Sequence, residues 1–450
     1  MTAASDGHAV DLERVANALL HQVPAAERRA YGAVLVGLAV MCRLSEPRWD
    51  ILIDGARVNF QSDVVGGWVS ETAHEIEREN PTLQGVLSEL TTALRPAQVT
   101  TLVGRLEGAT AAIQAASGRA FVDWISATIE ASAALTKGPS LTPAPLADFM
   151  VALACEGPPA PVFDPYCRSG ELLDRAARTM LARDARLPCV GIAAYSLDAA
   201  FARLRLFFLG VDADIRFSDV LHERLTAGNA LRQFERIVCD PPWGRISSLD
   251  IGLAAPWLMR GQDGRGVTSE VAYLRVAQVM LAREGRAVVR VPLGVLFRGG
   301  SDRALRQALL AEDLVSMVIG LPAGLVPGTS IQSALIVLDR GARGRPPRRV
   351  ILADLSSMRP DTETWAPGAL STLREIAFSA HSMGRGVEHD EIEANDFDLA
   401  PRRYLYTNTE ADAPLADPSI LDEARALEAE AERLARTFDE QFAAWRERRG

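Results

Sequence analysis

ERIVCDPPWGRIS, residues 235–247, ends an apolar run on an acid, two prolines and a tryptophan. Phe234, Ile237, Val238 and Cys239 have the character of a short buried strand. Asp240-Pro241-Pro242-Trp243 follows at once. The prolines remove two backbone donors and stiffen the turn. Two readings are open at this point. Either Trp243 belongs to the core behind an ordinary strand-to-turn junction, or the junction presents an acid, a fixed carbonyl and an aromatic ring to a ligand.

From about residue 140, short apolar runs alternate with helical patterns. "APVFD" (160–164), "CVGIAAY" (189–195), "ADIRFSD" (213–219) and "FERIVCD" (234–240) read as strands. So do "RAVVRVPLGV" (286–295), "LVSMVIGLP" (314–322) and "SALIVLDRG" (333–341). Helical patterns run over 169–185, 196–210, 269–285 and 302–313. This alternation predicts an α/β fold, a Rossmann-like, doubly wound and mostly parallel sheet. The last two strands, with "RRVILADLS" (348–356), are expected to pair antiparallel at one edge. Ligands of such sheets sit at the carboxyl ends of the strands. Asp240 to Trp243 fall there, and so does "VFDPYCRSGELL" (162–173), in which Ser169-Gly170 opens a helix after Asp164-Pro165. Turn amides and a helix N-terminus favour an anionic group.

Residues 9 to about 134 read as helical, with apolar residues at three- and four-residue spacing in 11–23, 27–44, 69–80 and 81–94. Asn80-Pro81 breaks one helix and starts another. At the other end, "TNTEADAPLADPS" (407–419) reads as a linker. A charged helix follows, with Ile420, Leu427 and Leu434, and Ala424, Ala431, Phe438 and Trp445, repeating every seven residues. That seam either folds back on its own chain or meets a partner helix. The expected division is a helical domain over 1–135, an α/β domain over 136–408, and a linker with a heptad helix over 409–450.

Composition narrows the classes. Of 450 residues, 48% are hydrophobic and 24% charged, ordinary values for a soluble globular protein. The apolar run from Ala30 to Cys42 is too short to span a bilayer. It follows "MTAASDGHAVDLE", which lacks a basic signal-peptide region, so a cytoplasmic protein with no membrane partner is expected. The five cysteines form no C-x-x-C pair, and the six histidines show no metal-ligand spacing. Neither a disulfide framework nor a metal site is expected. The net charge is −10, whereas a protein gripping nucleic acid alone usually carries a basic surplus. Arginines do cluster at 340, 343, 345, 348 and 349, in a solvated loop or a phosphate-contacting one.

A specific chemistry accounts for the Asp-Pro-Pro-Trp turn. Methylating a base amino group requires its nitrogen lone pair to be freed from the ring. A carboxylate and a backbone carbonyl accept the two N–H hydrogens, and an aromatic ring stacks on a base drawn out of its helix. Asp240, the Pro241 carbonyl and Trp243 supply these groups, with Pro242 stiffening the turn.

With these motifs the chain resembles the modification subunits of type I restriction-modification systems, which are N6-adenine DNA methyltransferases. Their pattern is D-P-x-x-G-S-G-x-x-L followed by N/D-P-P-F/Y/W. "LTPAPLADFMVAL" (141–153) is similar to the family's T-P motif, and 292–341 is similar nearly throughout. "NPTLQGVL", "SGRAFVDWI" and "NDFDLAPRRYL" match its other landmarks. The resemblance implies S-adenosylmethionine as cofactor. It implies Asp164, Pro165, Ser169 and Gly170 at the methionine portion, Thr142 and Pro143 beside them, and Asp219 at the adenine. It implies that Asp240, Pro241, Pro242 and Trp243 hold the target adenine of DNA. It also implies a separate DNA-specificity subunit, which the C-terminal helix would engage, and a restriction subunit beside it.

Two positions depart from the family pattern. Arg168 stands where the first glycine of G-S-G belongs, and either blocks the pocket or pairs with the cofactor carboxylate. Ala193 stands where an acid would hold the ribose hydroxyls, with Asp198 the nearest acid. Losing that contact costs about 1–3 kcal/mol. The alternative to an active enzyme is a silent scaffold that keeps the fold and binds DNA or a partner subunit. Methylation of a protein glutamine or a small molecule is a third reading.

Overall fold

The computed structural model describes residues 16–18, 20–58, 61–133, 142–221, 226–227, 230–244, 268–325, 331–341, 348–359, 365–378 and 381–405. The heptad helix, the linker before it and most of the arginine-rich loop lie outside the described residues. The chain divides into two compact units, residues 1–401 and 402–450. Of the second, only a short helix, Arg402–Leu405, is described.

The first unit opens with a group of helices: α1 (Arg28–Leu44), α2 (Glu46–Arg57), α3 (Ser62–Glu79), α4 (Val86–Thr91), α5 (Pro96–Leu106), α6 (Thr110–Ala115) and α7 (Gly118–Ala133). A helix that is apolar all round belongs inside a bundle. α1 is such a helix, buried continuously from Gly32 to Cys42. The break at Asn80-Pro81 is present: Asn80 caps α3 through its side-chain bond to the Ile76 carbonyl. The single helix expected over 81–94 is divided. A 3-10 turn covers Pro81–Leu83, and Gly85 at φ +76° separates it from α4. No described helix is long and apolar enough to cross a membrane.

The rest of the unit is built on a nine-stranded sheet. Its strands are β1 (Val162–Asp164), β2 (Cys189–Ala193), β3 (Ala213–Phe217), β6 (Phe234–Cys239), β7 (Leu281–Pro292), β8 (Val315–Gly320), β9 (Ser333–Asp339), β10 (Arg349–Asp354) and β11 (Gly384–Glu388). A small ribbon, β4 (Thr226–Ala227) and β5 (Ala230–Leu231), stands apart from them. The order across the sheet is β11-β10-β8-β9-β7-β6-β1-β2-β3. Helices α8 (Ala144–Ala154), α9 (Glu171–Leu181), α10 (Ser196–Phe208), α11 (Ser269–Met280), α12 (Ser301–Ala311), α13 (Trp365–Phe378) and α14 (His389–Ala394) accompany it.

The sheet corrects three expectations. β9 is not at an edge: it lies antiparallel between β7 and β8. β10 runs parallel to β8, and the antiparallel edge strand is β11. The helix expected over 269–285 stops at Met280, because Leu281 turns extended and pairs with Phe234. Gly285 permits that pairing, since a Cβ there would meet the Phe234 carbonyl at 2.9 Å.

α10 serves two cores. Ala199, Ala202 and Leu206 pack into the core under the sheet. Ala200, Phe201 and Leu204 pack into the core of the helical region. This is why its sequence is apolar on nearly every side.

Candidate active site

The strand order reverses at β1, which has β2 and β3 on one side and β6 and β7 on the other. Chains leave such a switch point in opposite directions and open a crevice at the carboxyl ends. Asp164 ends β1 and Asp240 follows β6, each with 1% of its surface exposed.

Asp240 is held from three directions. Thr142 donates its hydroxyl to Oδ2 at 2.7 Å, and Arg168 donates Nη2 to the same oxygen at 3.0 Å. Arg290, from β7, donates Nε to Oδ1 at 2.6 Å. Arg168 also bonds the Thr142 hydroxyl. Thr142 is brought here by Pro143, which caps α8. Burial would raise the Asp240 carboxyl, but Arg290 and Arg168 outweigh it and hold the group below the usual carboxylate range. Asp240 is therefore an ionised acceptor.

Asp164 is placed differently. Its Oδ1 accepts the Tyr166 backbone N–H at 2.9 Å, and among the described residues nothing bonds its buried Oδ2. Burial pushes its carboxyl up to about 8, although Arg168 acts in the other direction. The turn that follows is tight. Arg168 sits at φ +48° and Gly170 at φ +86°. A left-handed conformation costs an ordinary L-residue about 1–2 kcal/mol, which is why glycine suits position 168. A Cβ on Gly170 would meet Ala202 of α10 at 2.9 Å, so the turn rests directly on that helix. Pro165 is buried, and the Ser169 hydroxyl donates to Glu171. Ser169 thus faces the protein with its side chain.

Asp219, half-buried after β3, accepts the Leu221 N–H at 2.9 Å. Ala193 ends β2 fully buried in the sheet core. Asp198, the nearest acid, pairs with Arg29 of α1 at 2.7 Å. The structure thus brings Thr142, Arg168 and Asp240 into direct contact, with Asp164 in electrostatic reach, while Asp219 stands beyond the end of β3, two strands from β1.

In the Asp-Pro-Pro-Trp turn, Pro241 is buried and Pro242 and Trp243 are half-buried. The Arg290 guanidinium lies 4.4 Å from the Trp243 ring centroid. Residues that sequence reasoning missed complete the site. Tyr273 of α11 meets Tyr166 edge-on at 5.7 Å. Glu270 accepts the Gly244 N–H at 3.1 Å, just beyond Trp243. Arg290 had a signal: a charge inside the apolar run "AVVRVP" must have a buried partner.

A Rossmann-like sheet with an acid after β1 and an Asp-Pro-Pro-Trp turn after β6 defines the methyltransferase class of α/β proteins. The chain belongs to the N-6 DNA Methylase family, whose model matches residues 123–413. It is similar to the methylase subunit of the type I restriction enzyme MpnII of Mycoplasma pneumoniae, with 24% identity over 197 residues. That match covers 42% of this chain and 36% of the relative, so the chain spans about a third of the relative's length. A methyltransferase subunit of a type I restriction-modification system from Streptococcus thermophilus has a similar fold. Its TM-score is 0.67 at 19% identity, over 89% of this chain and 100% of that one. A second chain, from a type I R-M system studied for complex assembly, gives a TM-score of 0.64 at 16% identity, over 97% and 99% of the two chains.

Proposed function

We propose that the chain transfers a methyl group from S-adenosylmethionine to the N6 amino group of adenine in DNA, as the modification subunit of a type I-like restriction-modification system. The observation that carries this is the buried, ionised Asp240 at the switch point, followed by a proline-fixed turn and Trp243. An ionised carboxylate is an acceptor only. It takes one N–H of the adenine amino group, and the Pro241 carbonyl takes the other. The nitrogen lone pair is then freed from the ring, and Trp243 stacks on the base. Arg168 stays on Asp240 and favours its ionised form, so Asp240 orients the amino group rather than removing the proton.

The cofactor's methionine end fits the residues present. Asp164 Oδ2 is buried and lacks a donor among the described residues, which an α-ammonium supplies. Asp164, Pro165, the backbone of Ser169 and Gly170, and Thr142 and Pro143 would hold that end, and Asp219 the adenine end. When bound, the cofactor supplies an electrophilic methyl on a sulfonium.

The partners are DNA, a specificity subunit engaged through the heptad-patterned segment 420–449, and a restriction subunit. The net charge of −10 supports a separate DNA-reading chain. The chain is organised as a helical region (1–135), a catalytic domain (136–408) and a linker with a heptad-patterned docking segment (409–450).

The test measures cofactor affinity by calorimetry and methyl transfer with a co-expressed specificity subunit. Trp243→Ala leaves the buried Arg290 its ion pair with Asp240, and is expected to cut transfer about a hundredfold while cofactor affinity stays within about twofold. Asp240→Ala abolishes transfer, with its melting temperature recorded because two buried arginines lose their anion. Asp164→Ala loses the cofactor. Parallel loss of transfer and cofactor affinity in Trp243→Ala would overturn the assignment. A wild-type complex that takes up no cofactor would replace the enzyme by the silent scaffold.

A further inference from the structure

Arg290 lies in β7 between Val289 and Val291, both fully buried, and is itself 7% exposed. Its guanidinium makes two contacts. It donates Nε to Asp240 Oδ1 at 2.6 Å, and it lies 4.4 Å from the centre of the Trp243 ring. These are the same kinds of contact that the proposed reaction gives to the target base, a donated N–H on Asp240 and a flat face on Trp243. A guanidinium is planar, delocalised and rich in N–H donors, and it stacks on aromatic rings. It therefore imitates the amino edge of adenine. Asp240 Oδ2 already accepts two bonds, from Thr142 and Arg168. Oδ1 is the oxygen that serves an incoming donor, and Arg290 covers it.

We propose that Arg290 is a placeholder for the target base, its guanidinium filling the seat between Asp240 and Trp243 until an extruded, amino-bearing base displaces it. The inference rests on the base-methylation reading. Between visits of the base, Oδ1 of the buried acid would lack a donor at a desolvation cost, and the guanidinium removes that cost. Displacement also makes entry selective. A base takes the seat only by giving Asp240 an N–H and Trp243 a ring face. Adenine does so through its exocyclic amino group, which thymine lacks.

The test titrates the full-length protein with free adenine, and with thymine as control, by ligand-observed NMR. Arg290→Ala and Arg290→Met are compared with wild type. Both variants leave Asp240 with Arg168 and Thr142, so the acid is not stripped of partners. Arg290→Met also keeps the strand's bulk, should the alanine variant fold poorly. The expected result is adenine binding tightened at least about tenfold in both variants, the loss of one charge-assisted competitor, with thymine unchanged. Equal adenine affinity in all three proteins overturns the placeholder. An equal gain for adenine and thymine overturns it too, because a merely loosened pocket gives that result. S-adenosylmethionine affinity on the same samples separates the two levels. Wild type that binds cofactor, with no adenine gain in the variants, sinks the placeholder alone. Wild type that binds neither ligand sinks the methyltransferase reading with it.

Discussion

Asp164 and Asp240 are buried to the same degree, stand at the ends of neighbouring strands, and are pushed in opposite directions. Asp240 has two guanidinium partners and stays ionised. Asp164 has one backbone donor on Oδ1, and burial carries its carboxyl from 3.8 to about 8. The signs follow by linkage. Between pH 4 and 8 the folded protein holds a proton on Asp164 that the unfolded chain lacks, so this residue's contribution to stability falls as pH rises across that window. Asp240, held low, stabilises above the ordinary carboxylate range, and loses that contribution as pH falls through its folded value. An ammonium brought to Asp164 Oδ2 would favour the ionised form. Cofactor binding at pH 7 is therefore expected to release about one proton from Asp164. Calorimetry in phosphate and in Tris checks this. The binding enthalpies should differ by the buffers' heats of ionisation, and the difference should vanish in Asp164→Asn. The same heat in both buffers would mean that Asp164 does not receive the ammonium.

At the scale of elements, the N-terminus of α11 fixes the turn that ends in Trp243. Ser269 donates its N–H to the Gly244 carbonyl at 2.7 Å, and Glu270 accepts the Gly244 N–H at 3.1 Å. Glu270 is held in turn by Arg298 at 3.2 Å. In Glu270→Ala, Arg298 keeps Asp302, so the change acts mainly on the turn. Methyl transfer should fall about tenfold with cofactor affinity within about twofold, and Glu270→Gln, which keeps an acceptor for Gly244, should recover most of it. A fall in both quantities would assign Glu270 to the fold instead. Neither Glu270 nor its partner is visible in sequence, because 26 positions separate Gly244 from Glu270. β1, β2 and β6 were legible as strands of the parallel sheet, because each is a short apolar run ending at turn residues ahead of a helix; the parallel pairing of β10 with β8 was not, because its sequence was expected to pair antiparallel. The place of β9 was not: an apolar run reports that a strand is buried, not which neighbours it separates. β11, GRGVE, escaped because two glycines among five residues erase the alternation. Thr142, Asp164 and Asp240 were legible through motif resemblance. Their joint hold by Arg168 and Arg290 was not, since the two arginines are far apart in the chain and converge only through the sheet.

For the whole molecule, the helical region and the sheet share α10. Phe201 and Leu204 are 2% and 0% exposed and belong to the core of the helical region, where α10 packs on α4, α7 and the 3-10 turn Pro81–Leu83. Exposing two such side chains costs about 1.5–3 kcal/mol each. A protein beginning at residue 136 should therefore aggregate or melt well below the intact chain in thermal scanning, although the sheet itself is untouched. A soluble fragment with wild-type cofactor affinity would show that α10 does not depend on the helical region. The Arg29–Asp198 pair adds a polar tie across the same boundary. Sequence periodicity marked the helical region and the sheet as separate in character. The two-sided burial of α10 that joins them could be suspected only from a helix with too little polar surface.

The position of β9 between β7 and β8 has a consequence for biosynthesis. A ribosome delivers β7 and β8 before residues 333–339 exist, so β7 first emerges with its β9-facing edge unpaired, and β8, whose other neighbour β10 comes later still, with both edges unpaired. Both strands carry buried runs, Ala287–Val291 in β7 and Val318–Gly320 in β8, and their facing edges stay open until β9 arrives to fill the slot. A stalled or truncated nascent chain ending before residue 333 would be a half-built sheet with unpaired, adhesive margins on β7 and β8, a natural client for chaperones and an early seed for inclusion bodies.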